Sequence, residues 1–321
     1  MTRKRILLTR RWPEAVETRL ASSYDATLNP EDRPMNVEEI GRALRDYDAV
    51  CPTVSDKLPA EIFSAPPQTK ILANFGVGVN HIDLPAAAAA GITVTNTPGV
   101  LTDCTADLAI ALMLMLARRL KEGERELRAG TWAGWRPTHL MGMCLRGKTL
   151  GIIGMGRIGQ ATARRAQMAF GMDIVYYNRT PMPDARLADL KAHALPTVDA
   201  VIEQADFVSL HCPGGGENRH LIDARRIGLF GPKTFLINTA RGDVVDETAL
   251  RAALRQGALG GAGLDVFERE PHVPDDLIAF PNVVLLPHLG SATRETREAM
   301  GMMAADNLDA FFAGTAPPNR I

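Results

Sequence analysis

Residues 149–159 read Thr149-Leu150-Gly151-Ile152-Ile153-Gly154-Met155-Gly156-Arg157-Ile158-Gly159. A short β-branched run leads into G-x-G-x-x-G, and Ile158–Phe170 then carries apolar residues at helical spacing. Each glycine has a physical task. Gly154 permits a tight turn, Gly156 lets the backbone approach a pyrophosphate, and Gly159 lets the helix pack close to the strand. The first amides of the helix, those of Arg157 and Ile158 included, then face the negative charge. Six residues of this pattern arise often by chance. The strand before and the helix after make the stretch a dinucleotide-binding turn.

Working outward, short β-branched runs alternate with helical stretches. The strands expected are Thr149–Ile153, Asp173–Tyr177, Asp206–Leu210, Thr234–Asn238, Gly261–Val266 and Val283–Leu286. That alternation predicts an α/β fold with a doubly wound parallel sheet covered on both faces. The first hundred residues repeat it on a smaller scale. Arg5–Thr9, Ala49–Cys51, Ile71–Asn74 and Thr93–Thr95 read as strands, Val37–Leu44 and Pro85–Ala90 as helices. Leu101–Ala129 is long, helix-compatible and without proline, and Gly130–Gly147 reads as a loop rich in Gly, Trp, Pro and Met. The helix expected over Ser291–Gly314 can return to the first unit. Two Rossmann-like domains follow: a discontinuous substrate domain (1–100 and 289–321) and a dinucleotide-binding domain (101–288).

The chain has 321 residues, 46% of them hydrophobic, with 36 basic against 37 acidic side chains. Such a balance excludes a disordered chain and gives no basic excess with which to hold nucleic acid. The apolar run Ile6-Leu7-Leu8 is too short for a signal-peptide core, and the apolar part of Leu108–Ala117 too short for a membrane span. Cys51, Cys104, Cys144 and Cys212 have neither metal-ligand nor disulfide-framework spacing. The expectation is a cytoplasmic protein with reduced thiols and no metal.

The end of the second strand of the large sheet selects the dinucleotide. An NAD-binding domain ordinarily carries Asp or Glu there, on the ribose hydroxyls. Here the residues are Asn178-Arg179-Thr180. No carboxylate repels a 2′-phosphate, Arg179 offers a forked cation and Thr180 a hydroxyl, so NADP is expected ahead of NAD. An alternative is that Arg179 is a solvated surface residue.

Three polar segments follow the last three strands: Asn238-Thr239-Ala240-Arg241-Gly242, Asp265–Pro271 and Pro287-His288-Leu289-Gly290-Ser291. Ligands of open α/β sheets bind outside the carboxyl ends of the strands, so these segments can converge. Arg241 suits a carboxylate, His288 a proton transfer near neutral pH, and Glu270 the orientation of an imidazolium. Each alone also has an ordinary structural reading.

With GMGRIG (154–159), NTARG (238–242), GLDVFEREP (263–271) and PHLGSAT (287–293) in this order and spacing, the chain resembles the D-2-hydroxyacid dehydrogenases over essentially its whole length. The resemblance implies that Arg241 binds substrate, His288 is the acid/base, Glu270 its partner, and Asp265 holds the nicotinamide carboxamide. It further implies that the Val77 and Gly78 amides grip a substrate carboxylate in the Phe75–Asp83 loop. Thr105 would lie on the nicotinamide side, and His211-Cys212-Pro213 would line the cofactor, with Thr239, Ala240 and Gly290 also near it. Asn178-Arg179 and the Gly130–Gly142 segment look like the glyoxylate/hydroxypyruvate reductases. Family members dimerise through the region before the glycine loop. The expected homodimer surface is therefore Leu101–Leu145, with Trp132, Trp135 or His139 reaching the partner. Gly214–His220 departs from the family pattern. The reading is an NADPH-dependent reductase of a small 2-oxo acid; a phosphoglycerate-type dehydrogenase and a non-catalytic nucleotide-sensing scaffold are the alternatives.

Overall fold

The computed structural model describes residues 3–321, the side chain of Asp184 excepted. The chain divides into two compact units, one running up to Leu101 and resuming at Ala292–Ile321, the other Thr102–Ser291.

The first unit has five parallel strands: β1 (Arg5–Leu8), β2 (Asp25–Thr27), β3 (Ala49–Cys51), β4 (Ile71–Ala73) and β5 (Thr93–Thr95). Their order is β2-β1-β3-β4-β5, so the winding reverses between β1 and β3. Ile6 faces Ala49 and Leu7 faces Val50 in the register that joins them. β1, β3 and β4 carry apolar runs (Ile6-Leu7-Leu8, Ala49-Val50-Cys51 and Ile71-Leu72-Ala73) because both faces are covered. Leu20, Met300 and Leu308 pack on one side, Ile40, Leu44 and Phe63 on the other. The helix Arg294–Phe312 starts at Thr293, whose hydroxyl accepts from the Thr296 amide at 3.2 Å. It belongs to this unit, pressed onto the helix Glu14–Ser23, which sequence periodicity alone did not single out.

The second unit has seven parallel strands: β6 (Thr149–Ile153), β7 (Asp173–Tyr177), β8 (Ala192–Ala194), β9 (Phe207–Leu210), β10 (Phe235–Asn238), β11 (Gly261–Leu264) and β12 (Val283–Leu285). Their order, β12-β11-β10-β9-β6-β7-β8, is doubly wound and reverses between β6 and β9. Six strands were expected. The seventh, β8, is an edge strand whose His193 and Ala194 are exposed, so no apolar run marks it. β2 escapes notice for the same reason.

The helix-compatible stretch from Leu101 to Ala129 forms two helices, Thr102–Ala117 and Leu120–Arg128. Arg119 between them is left-handed at φ +52°. The Ala117 carbonyl accepts from the Met143 amide at 2.8 Å instead of continuing the helical ladder. A side chain at Gly142 would run into that same carbonyl, so only glycine allows the approach.

Candidate active site

The reversal between β6 and β9 sets the loops that follow them side by side. A Cβ on Gly154 would stand 2.7 Å from the Cys212 amide nitrogen and 2.8 Å from the His211 carbonyl carbon. Gly154 also has φ +99°, so that position requires glycine twice over. A Cβ on Gly159 would strike the Gly154 carbonyl, which confirms close packing of helix on turn. Around Gly156 the space is open, and this exposed glycine starts the helix Arg157–Phe170 with no side-chain cap. An open approach to uncapped helix amides fits a dinucleotide pyrophosphate. Arg157 is exposed and Ile158 half-buried beside it.

Asn178 acts on this loop from behind. Its Oδ1 accepts from the Met155 amide at 3.0 Å and its Nδ2 donates to the Thr180 carbonyl at 2.6 Å. Arg179 and Thr180 are exposed beyond it. Nη1 of Arg179 lies 3.3 Å from Oε2 of Glu217, a pairing that sequence reasoning did not anticipate. Glu217 sits in the loop after β9, turned by Gly215 and Gly216 at φ +73° and +51°. Both side chains are more than 70% exposed, so the contact is weak and a phosphate can displace it. Nε2 of His211 is 2.9 Å from Ser209 Oγ, and burial pushes the ring down to about 4, which leaves it neutral. Cys212 and Pro213 follow on the same loop, and Cys212 is pushed up to about 11 by burial, so its thiol is not ionised.

At the carboxyl ends of β10, β11 and β12 the three candidate side chains come together. Nδ1 of His288 and Oε2 of Glu270 are 2.9 Å apart. Oε1 of Glu270 accepts from the Phe267 amide at 3.1 Å. Burial pushes the Glu270 carboxyl up; His288, the Phe267 amide and the Arg241 charge outweigh it, and the group ends below its ordinary value. An ionised Glu270 only accepts, so Nδ1 of His288 carries the proton. Arg241 follows β10, its backbone carbonyl held by Asn238 Nδ2 at 2.8 Å and its Nη1 donating to the Ala240 carbonyl at 2.7 Å. Burial lowers its pKa against the opposing pull of Glu270 and Asp243, yet a guanidinium stays charged. Thr239 and Ala240 beside it are nearly buried.

Asp265 serves as a brace, a role the motif reading did not contain. Buried at the end of β11, it accepts from the Leu289 amide at 2.6 Å and from the Gly290 amide at 2.8 Å. Thr105 Oγ1 donates to the Gly290 carbonyl at 2.8 Å. These bonds hold a turn in which His288 itself is left-handed, φ +56°. A non-glycine residue there is strained, and the surrounding bonds keep it so. Burial raises the Asp265 carboxyl above its ordinary value despite the two amides and His288. Val77 and Gly78 lie in the first unit, half-buried, in the loop that leaves β4.

Residues 110–290 match the family model described as D-isomer specific 2-hydroxyacid dehydrogenase, NAD binding domain. A glyoxylate reductase of Thermococcus litoralis is 44% identical over 323 residues, covering 99% of this chain and 96% of the relative. The chain belongs to the D-isomer specific 2-hydroxyacid dehydrogenase family. It is accordingly an oxidoreductase that uses a nicotinamide dinucleotide. Solved members superpose along the whole chain. The NADPH-dependent glyoxylate/hydroxypyruvate reductase of Sinorhizobium meliloti, in complex with NADP and malonate, is 40% identical with TM-score 0.89, covering 100% of this chain and 97% of that one. A glyoxylate reductase from Paecilomyes thermophila is 32% identical with TM-score 0.88, covering 100% and 99%. No helix among the described residues is long and apolar enough to cross a membrane.

Proposed function

We propose that this dehydrogenase reduces a small 2-oxo acid, glyoxylate or hydroxypyruvate, to the D-2-hydroxy acid with NADPH. The observation that carries the reading is the His288–Glu270 pair at 2.9 Å with the Arg241 charge on the same carboxylate. The names of the relatives point to the same substrates.

When bound, the nicotinamide supplies a hydride to the carbonyl carbon. The second unit is the dinucleotide domain. Gly154, Gly156 and Gly159 with the Arg157 and Ile158 amides take the pyrophosphate; Arg179 and Thr180 take the 2′-phosphate, with Asn178 setting the loop. His211, Cys212, Pro213, Thr239, Ala240, Gly290 and Thr105 would line the rest of a bound dinucleotide, and Asp265 would hold its carboxamide. Arg241 holds the substrate carboxylate and polarises the adjacent carbonyl. His288 donates a proton from Nε2 to the developing alkoxide, while Glu270 fixes the ring. The first unit is the substrate domain, and the Val77 and Gly78 amides in the loop after β4 are donors suited to a carboxylate.

The active form is a homodimer in the cytoplasm. Trp132, Trp135 and Met141 are 50%, 82% and 65% exposed in the segment that precedes the glycine loop, an apolar surface suited to a second copy. The four cysteines are unpaired, as a reducing compartment requires.

The test is loss of absorbance at the reduced-nicotinamide band for glyoxylate, hydroxypyruvate, pyruvate and phosphohydroxypyruvate, each with NADPH and with NADH. Highest kcat/KM for glyoxylate or hydroxypyruvate with NADPH is expected. Preference for the phosphorylated acid would favour the phosphoglycerate-type alternative, and no turnover the scaffold.

A further inference from the structure

Asn74 leaves β4 fully buried, and its side chain works on the loop ahead of it. Nδ2 donates to the carbonyls of Gly76, at 3.0 Å, and Gly78, at 3.2 Å. The carbonyl between them, that of Val77, accepts from Asn96 Nδ2 at 2.9 Å. Three consecutive carbonyls are thus held by two asparagines, that of Gly76 accepting from the Thr97 amide at 3.1 Å as well. In a planar trans peptide the C=O and the following N–H point in opposite directions. Holding the carbonyls of residues 76 and 78 therefore turns the amides of Val77 and Val79 away from Asn74, and holding that of residue 77 turns the Gly78 amide away from Asn96.

The holders are themselves fixed. With both Nδ2 hydrogens of Asn74 on carbonyls, its Oδ1 must accept, and His81 Nε2 lies 3.0 Å from it. That bond requires the proton of His81 on Nε2. The Asn96 carbonyl accepts from Nδ2 of the fully buried Asn307 at 3.3 Å, and Asn307 Oδ1 accepts from the Asn319 amide at 3.0 Å. Gly76 completes the loop, because a Cβ there would stand 2.7 Å from a Val54 methyl.

We infer that Asn74 and Asn96 are positioning residues for substrate-carboxylate recognition, acting by aiming the Val77 and Gly78 amides, with His81 orienting the Asn74 side chain. The inference rests on the reading of this loop as the carboxylate-binding group. A carbonyl set free to rotate would turn its amide partner out of line with a carboxylate, and misplaced backbone donors weaken ground-state and transition-state binding alike.

The test uses the full-length enzyme with NADPH. For Asn74→Leu and Asn96→Ala, the KM for glyoxylate and the Ki for oxalate rise together by about 10-fold or more, the loss of roughly one charge-assisted hydrogen bond. The kcat stays within about threefold and NADPH affinity is unchanged, as uniform binding loss requires. His81→Gln, which keeps a donor for Asn74 Oδ1, retains near-wild-type KM, whereas His81→Leu follows Asn74→Leu. Should Asn74→Leu fail to fold, Asn96→Ala and the His81 pair decide the question. Unchanged KM and Ki in folded variants, or a fall in kcat with KM constant, overturns the inference. The underlying reading is checked separately, by following the ¹⁵N-labelled wild-type amides of Val77 and Gly78 during oxalate titration. If these signals do not move, the loop is not the carboxylate site. If they move while the variants keep their Ki, the asparagine bracket alone is wrong.

Discussion

His288 and Glu270 are separated by seventeen residues of sequence yet meet at 2.9 Å, Nδ1 against Oε2. The pairing needs both of its loops. Glu270 is oriented by the Phe267 amide, and His288 by a left-handed turn clamped on Asp265. Fixing Nδ1 in this way leaves Nε2 as the nitrogen that the proposed proton transfer to the carbonyl oxygen uses.

Replacement His288→Ala removes that donor and leaves the dinucleotide loop intact. Turnover is expected to fall by about 10²–10⁴-fold with NADPH affinity preserved. Steady-state rates beside cofactor fluorescence titration check this; retained turnover removes the assignment.

Glu270→Gln keeps the shape of the carboxylate but not its charge. The expected loss of kcat is on the order of 10²-fold, no larger than for His288→Ala. The sign of the pH effect follows from the lowered pKa of Glu270. A group held below its unfolded value stabilises the fold at pH above the unfolded value, and that contribution disappears as pH falls through the folded one. The stability difference between wild type and Glu270→Gln is therefore constant around neutrality and shrinks in acid below about pH 4. Urea titrations from pH 3 to 7 measure it, and a difference that grows in acid contradicts the direction.

Arg179→Ala should raise the KM for NADPH by about 10-fold while NADH is little affected, since one charged contact to phosphate is lost. Glu217→Gln should act the other way and improve NADPH modestly, because the carboxylate paired with Arg179 competes with the 2′-phosphate. Equal changes for both dinucleotides in either variant defeat the phosphate reading.

Gly242 packs directly on the backbone of Phe267 and Glu268, where a Cβ has no room. Gly242→Ala must shift the loop that carries Glu270. A loss of about 1–3 kcal/mol is expected, read as a lower Tm, together with reduced kcat. Unchanged Tm and kcat would show that the loop tolerates displacement.

Much of this was readable from sequence because the signals are local or periodic. The glycine turn is continuous along the chain, and buried parallel strands such as Ile71–Ala73 are apolar runs. Arg241, Glu270 and His288 could be grouped as candidates because each follows a strand, and strand ends share one edge. What escaped depends on contacts between distant segments. The break at Arg119 exists because Met143 takes the Ala117 carbonyl, a partner 26 residues away in sequence. Strands β2 and β8 are short edges with exposed residues and no apolar pattern. Asp265 as a brace, Glu217 beside Arg179, and Asn74 with Asn96 are side-chain geometries that no motif encodes.

Asn178 has a further consequence for how cofactor preference can change over evolutionary time. An acidic residue there, the ordinary device for gripping ribose hydroxyls, still accepts from Met155 but sets an oxygen against the Thr180 carbonyl in place of a donor. A lineage drifting from one coenzyme toward the other must therefore remodel the 178–182 turn in concert, so the transition is a coordinated step across several codons.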